Sequence, residues 1–178
     1  MNNHIAIYHA APRMGDLLIH LDIYNSIFHN TGKKIIFICS NKKLASVIFD
    51  KVNFINQIVE FRVKKGFNQI KNFYNFKSIV KNFNIEEIYI IEKNTTPALF
   101  SYISGINKIF SYGIKPLQKI FIKNDPININ LKYDVELSLA TDFLKKLNFK
   151  KKDFYFQNIA KDTNTIFICN KASDEKRK

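Results

Sequence analysis

An alternation constrains this chain more than any other feature. Short apolar runs with the character of buried strands are followed, several times over, by longer stretches whose apolar residues recur at helical spacing. "HIAIYHA" (4–10) is broken by Pro12 and Gly15, after which "DLLIHLDIYNSIFHNTG" (16–32) places Leu17, Leu21, Tyr24, Ile27 and Phe28 on one helical face and stops at Thr31-Gly32. "KKIIFIC" (33–39) predicts a second strand, with Ser40 as the N-cap of a helix in "NKKLASVIFDKV". "NQIVEFR" (56–62) predicts a third strand, and the helix over 67–84 offers Ile70, Phe73, Tyr74, Ile79, Val80 and Phe83 to the core. "EEIYIIE" (86–92) follows as a fourth strand, then a helix over 95–105 with Pro97 in its first turn and Gly105 as its stop, then "KIFSYG" (108–113) as a fifth strand. "IKPLQKIFIKNDPINI" reads as irregular, and "LKYDVELSLATDFLKKLN" (131–148) as the last helix.

Strands that are apolar throughout have no face to give to water, and strands joined by helices run parallel. The expected fold is therefore α/β, a Rossmann-like doubly wound parallel sheet over residues 1–148. Charge and turn residues make 149–164 read as a connector. "TIFIC" (165–169) and the polar end "NKASDEKRK" read as the first strand and loop, over 165–178, of a second domain whose remainder is missing.

A net charge of +13 directs attention to acidic partners, yet the excess is almost all Lys, with only Arg13, Arg62 and Arg177. Phosphate and base recognition leans on the forked guanidinium of Arg. An evenly spread Lys excess, together with abundant Asn and Ile, is general compositional drift, and nucleic acid is not the expected partner. A phosphorylated substrate or an anionic lipid surface is compatible with it. Cys39 and Cys169 each end an apolar run and read as small core residues, which fits a reducing cytoplasm. No signal peptide and no membrane-spanning run is expected.

In a doubly wound sheet the loop after the first strand lies at the ligand crevice. Here it holds "PRMGD" (12–16), with one glycine, so neither GxGxxG nor GxxxxGK[ST] is present and a phosphate cradle is not expected there. Asp16 has two readings. It is a first-turn acid that complements the helix dipole, worth a few tenths of a kcal/mol to about 1, or it is a carboxylate presented by the Gly15 turn as a general base. His20, one helical turn on, could orient Asp16 or be an ordinary half-buried residue. Arg13 could meet an anion or simply be solvated. No cluster at metal-ligand spacing and no nucleophile elbow is present, so neither a metal nor a cofactor is expected.

The "MGD" loop, the long helix after it, the stretch "IYIIEKNTTPALFSYISGINKIFSYG" and a terminal strand opening into "ASDEKRK" together resemble the lipopolysaccharide heptosyltransferases of glycosyltransferase family 9. The resemblance implies one half of a GT-B glycosyltransferase, with two Rossmann-like domains facing across a cleft. It implies an inverting, metal-independent transfer of a heptose-like sugar from a nucleotide sugar of the ADP-heptose type, a substrate and not a cofactor, to a lipopolysaccharide core acceptor. Asp16 would be the general base, with Arg13, Gly15 and His20 on the acceptor side. Ala172, Ser173 and Lys176 would hold the donor's phosphates, although Asn170 and Lys171 stand where the family carries Pro-Gly. A cytoplasmic protein, peripheral at the inner membrane, would follow, with little transfer by the 178-residue chain alone. The alternative from another class is a non-catalytic basic module that binds anionic glycolipid or nucleic acid.

Overall fold

The structure is a computed structural model that describes residues 4–10, 13–50, 52–63, 68–128 and 136–154. All five expected strands within them form, as β1 (His4–Tyr8), β2 (Ile35–Cys39), β3 (Ile55–Glu60), β4 (Ile85–Ile90) and β5 (Lys108–Ser111). They pair in parallel in the order β3-β2-β1-β4-β5, so the fold is the expected α/β doubly wound sheet. Chain direction across the sheet reverses between β1 and β4, where the connections after these strands diverge and leave a crevice.

The helices are α1 (Met14–Ile19), α2 (Leu21–Thr31), α3 (Lys42–Phe49), α4 (Gln69–Asn82), α5 (Thr95–Ile103), α6 (Pro116–Phe121) and α7 (Glu136–Lys146). Successive strand residues alternate between two apolar layers. Ile5, Ile7, Phe37 and Tyr89 pack with Leu17, Tyr24, Phe49 and Phe143 on the side of α1, α2, α3 and α7. Ala6, Tyr8, Ile38 and Ile88 pack with Phe76, Val80 and Phe100 on the side of α4 and α5.

Four local expectations are corrected. The single helix over 16–32 is two, broken at His20, whose φ of −100° and ψ of 3° leave the helical region. Its N–H turns to Leu17 O at 3.3 Å, one residue short of the α pattern, and its ring takes over the Asp16 carbonyl. The N-cap of α3 is Asn41, whose Oδ1 accepts from Leu44 N at 3.0 Å, because the Ser40 hydroxyl is turned away to donate to Ala10 O. On α4, Phe73, Ile79, Val80 and Phe83 pack inward as expected, but Ile70 and Tyr74 face solvent and Phe76, fully buried, takes their place in the stripe. The stretch read as irregular contains α6, started by Pro116 in its first turn, where the missing N–H costs no hydrogen bond.

Beyond β5 the chain returns over the sheet through Gly113, at φ 67°, where a Cβ would stand 2.6 Å from Ile122 and 2.9 Å from Pro126. Residues 150–154 run along α2, where Lys150 N donates to Asn30 Oδ1 (3.0 Å), Lys152 N to Ser26 Oγ (2.8 Å) and Phe154 N to Asp22 Oδ1 (2.8 Å). Most of the expected connector and the whole of 165–178, with Cys169, Ala172, Ser173 and Lys176, lie outside the described residues.

Candidate functional site

Each apolar strand ends in polar residues, and the parallel order gathers those ends along one edge. Past β1 the ladder continues: His9 N donates to Ile38 O (3.0 Å) and Ile91 N to Tyr8 O (2.9 Å). The turn after it is then held from both sides, with Ala10 N donating to Glu92 Oε1 at 2.9 Å and Ser40 N to Ala10 O at 3.2 Å. Between these anchors lies a crevice of about 350 Å³ lined by Tyr8, Ala10, Ser40, Asn41, Arg62, Val63, Glu92 and Asn94.

Its lining combines a phenol, a hydroxyl, two side-chain amides, a carboxylate and one guanidinium, groups that can hydrogen-bond hydroxyls and pair with charge. Arg62 is exposed at the rim. Burial pushes the Tyr8 phenol well above its ordinary value, with the Glu92 carboxylate and Cys39 adding to the effect. Tyr8 therefore keeps its proton and remains a donor. Gln118, fully buried on α6, braces this edge, its Nε2 donating to Glu92 O (3.2 Å) and to Ser111 Oγ, while its Oε1 accepts from Ile114 N (3.1 Å).

Across the β1–α1 turn, on the other side of the sheet, stands a second group. His9 follows Ile5 and Ile7 on the face toward α2, and its Nδ1 is 2.5 Å from the Tyr24 hydroxyl. The His9 and His20 rings meet edge to face, with centroids 4.7 Å apart. Burial, and then His20, drives the His9 pKa down to about 3, so the imidazole is neutral across the physiological range. Tyr24 is shifted far upward by burial, with the charges of Tyr112, Asp16 and others adding, and it stays a phenol. A carbonyl can only accept, so His20 Nδ1 carries the proton that bonds Asp16 O at 2.7 Å.

The expected residues of this loop now have places. Arg13 is the exposed N-cap residue of α1, in extended backbone. Gly15 lies inside the helix, without positive φ, and a Cβ there would meet nothing within 4 Å. The turn itself therefore does not require glycine. Asp16 is half-buried in the first turn of α1, where either of its two readings can operate. His20 is fully buried and holds the main-chain carbonyl of Asp16.

No family model matches this chain, and no curated protein does. Solved structures do. A glycosyltransferase of family 9 from Veillonella parvula DSM 2008 superposes with a TM-score of 0.62 at 12% identity, over 84% of this chain and 43% of that one. E. coli heptosyltransferase WaaC, solved with ADP-2-deoxy-2-fluoro heptose, gives 0.61 at 12% identity, over 86% and 51%. E. coli ADP-heptose lps heptosyltransferase II gives 0.57 at 10%, over 78% and 40%. The likeness is one of fold. This glycosyltransferase-like fold spans about half the length, or less, of those chains.

Within this fold the crevice brings together residues that sequence reasoning missed, Ser40, Asn41, Arg62, Glu92 and Asn94, and His9 stands on the opposite side of the sheet. A signal for them was present. Each is polar and lies just past the end of an apolar strand run, and in a parallel sheet that position faces the ligand edge. The described residues contain no group of three or more His, Cys, Asp or Glu that could hold a metal ion. Cys39 is buried with its thiol raised to about 11, an inert core residue at a strand end.

Proposed function

We propose that this chain is the acceptor-side domain of an inverting glycosyltransferase that moves a heptose-like sugar from an ADP-sugar to a phosphorylated, lipopolysaccharide-type acceptor. The observation that carries the reading is the superposition on family 9 glycosyltransferases, combined with a polar crevice at the sheet's carboxyl edge and Asp16 in the first turn of the helix that follows β1.

Asp16 would take the proton from the acceptor hydroxyl as it attacks the anomeric carbon. His20 would act through Asp16, fixing the backbone of its helical turn. Arg62 would pair with an acceptor phosphate, and Tyr8, Asn41 and Asn94 would read hydroxyls. Arg13 and the open space at Gly15 would flank the approach. The donor diphosphate would be met by Ser173 and Lys176, outside the described residues, with no metal required.

The test is titration of the chain with a phosphorylated core oligosaccharide and, separately, with ADP-heptose. Acceptor binding that Arg62→Ala weakens about tenfold, without nucleotide-sugar binding, fits the reading. Binding of ADP-heptose alone would reverse the domain assignment, and binding of neither would overturn it. With a family 9 donor domain supplied, Asp16→Asn should lower kcat by about 10³-fold and leave acceptor affinity unchanged.

A further inference from the structure

No acidic residue occurs between Glu92 and Asp125, whereas Lys93, Lys108, Lys115, Lys119 and Lys123 all do. This segment builds α5 and α6, which pack on each other, with the Tyr102 ring 5.2 Å from that of Phe121. The same pair of helices leaves large apolar side chains in water: Tyr102 is 59% exposed, Leu117 63% and Ile120 68%. Lys115, Lys119 and Lys123, also exposed, stand among them.

We infer that the α5–α6 face docks on an anionic lipid bilayer. Leu117, Ile120 and Tyr102 would enter the headgroup layer while the lysines meet lipid phosphates, the combination that holds amphipathic surfaces at membranes. Neither α5 nor α6 carries an acid of its own to pair with the cations of a protein partner of mixed charge. The position is also apt. Gln118, between exposed Leu117 and Lys119, donates to the main-chain carbonyl of Glu92, a residue that lines the crevice. Docking would therefore set the crevice beside the membrane. The inference rests on the glycosyltransferase reading only for the acceptor that docking would reach, and its test uses no sugar transfer.

The experiment is sedimentation of the 178-residue chain with phosphatidylcholine vesicles and with vesicles of phosphatidylcholine and phosphatidylglycerol in equal parts. The chain should bind the anionic vesicles and release as salt rises. Leu117→Ser with Ile120→Ser should weaken binding at least tenfold, and Lys115, Lys119 and Lys123→Gln by about fivefold per lysine. Lys43, Lys77 and Lys146→Gln, a triple on other faces, should leave it nearly unchanged, and circular dichroism checks that every variant folds. Failure to bind anionic vesicles overturns the inference, as does equal loss in the two lysine triples. A dimer that the Leu117/Ile120 variant splits, with no vesicle binding, would make the face a protein interface and overturn it too.

Discussion

Toward the amino ends of the strands, Glu87 is buried but compensated: Tyr89 donates to its Oε1, and Lys33 and Lys108 stand 3.6 and 3.9 Å from its Oε2. At the carboxyl ends, His9 is buried as deeply, yet it faces a phenol and a second imidazole and is held neutral. The first arrangement satisfies a charge and closes the structure around it. The second withholds charge from a group that could carry it, a few side chains from Asp16, and leaves an open crevice next door. The buried polar group at the amino end is closed by its partners, whereas the one at the carboxyl end lies at the turn that leads to an open crevice.

Acid distinguishes the two ends most strongly. The His9 pKa is depressed from 6.5 to about 3, so between those values the unfolded chain binds a proton that the folded chain refuses. Stability from this group is fully present above pH 6.5 and is lost as pH falls toward 3, at about 1.4 kcal/mol per pH unit. Denaturant unfolding followed from pH 7 to 4.5 should show this slope in the difference between the wild-type chain and His9→Gln. Parallel curves for the two proteins would mean that His9 is not held neutral, and the contrast between the two ends would fail.

Much of this architecture was legible because buried parallel strands are apolar on both faces, a pattern that few other folds share. "KIIFIC" and "EEIYIIE" announced central strands, and Gly32 and Gly105 marked helix ends that do carry positive φ, at 66° and 81°. The break at His20 was not legible, because the helical spacing of Leu17, Leu21 and Tyr24 survives it. The cause is a side chain that replaces a main-chain hydrogen bond, which periodicity does not register. The α6 helix was hidden in the same way, since six residues cannot show a period and only Pro116 hinted at a start. The candidate site was less legible. Local motif reasoning singled out Asp16 as a candidate, whereas the crevice draws on the ends of four strands, and their convergence is a property of sheet order.

Removing one hydroxyl at each end is the next test. Tyr89→Phe takes a donor from a carboxylate and should cost about 2 kcal/mol, because hydrogen bonds to charged groups are the stronger class. Tyr24→Phe removes a bond between neutral groups and should cost about 1 kcal/mol. Thermal unfolding of the two variants at pH 7 measures both. Equal costs, or a larger one at Tyr24, would say that the His9 group is as tightly coupled to the fold as the Glu87 group.

The smallest expected effect has the opposite sign. Gly15 lies within α1 with ordinary helical backbone, and a Cβ there would meet nothing within 4 Å. Alanine is the better helix former, so Gly15→Ala should stabilise the chain by about 0.5–1 kcal/mol, read as a small rise in Tm. Nothing in the packing opposes the methyl group, so the fold gives no reason for glycine at this position. If the open space is where the acceptor approaches Asp16, the same methyl should weaken titration of the core oligosaccharide while Tm rises. Gain of stability with unchanged acceptor affinity would move the acceptor away from Gly15 and onto the Arg62 side of the crevice. Loss of stability would show that the start of α1 is strained in a way its dihedral angles do not reveal, and would weaken the view that this edge is shaped by a ligand.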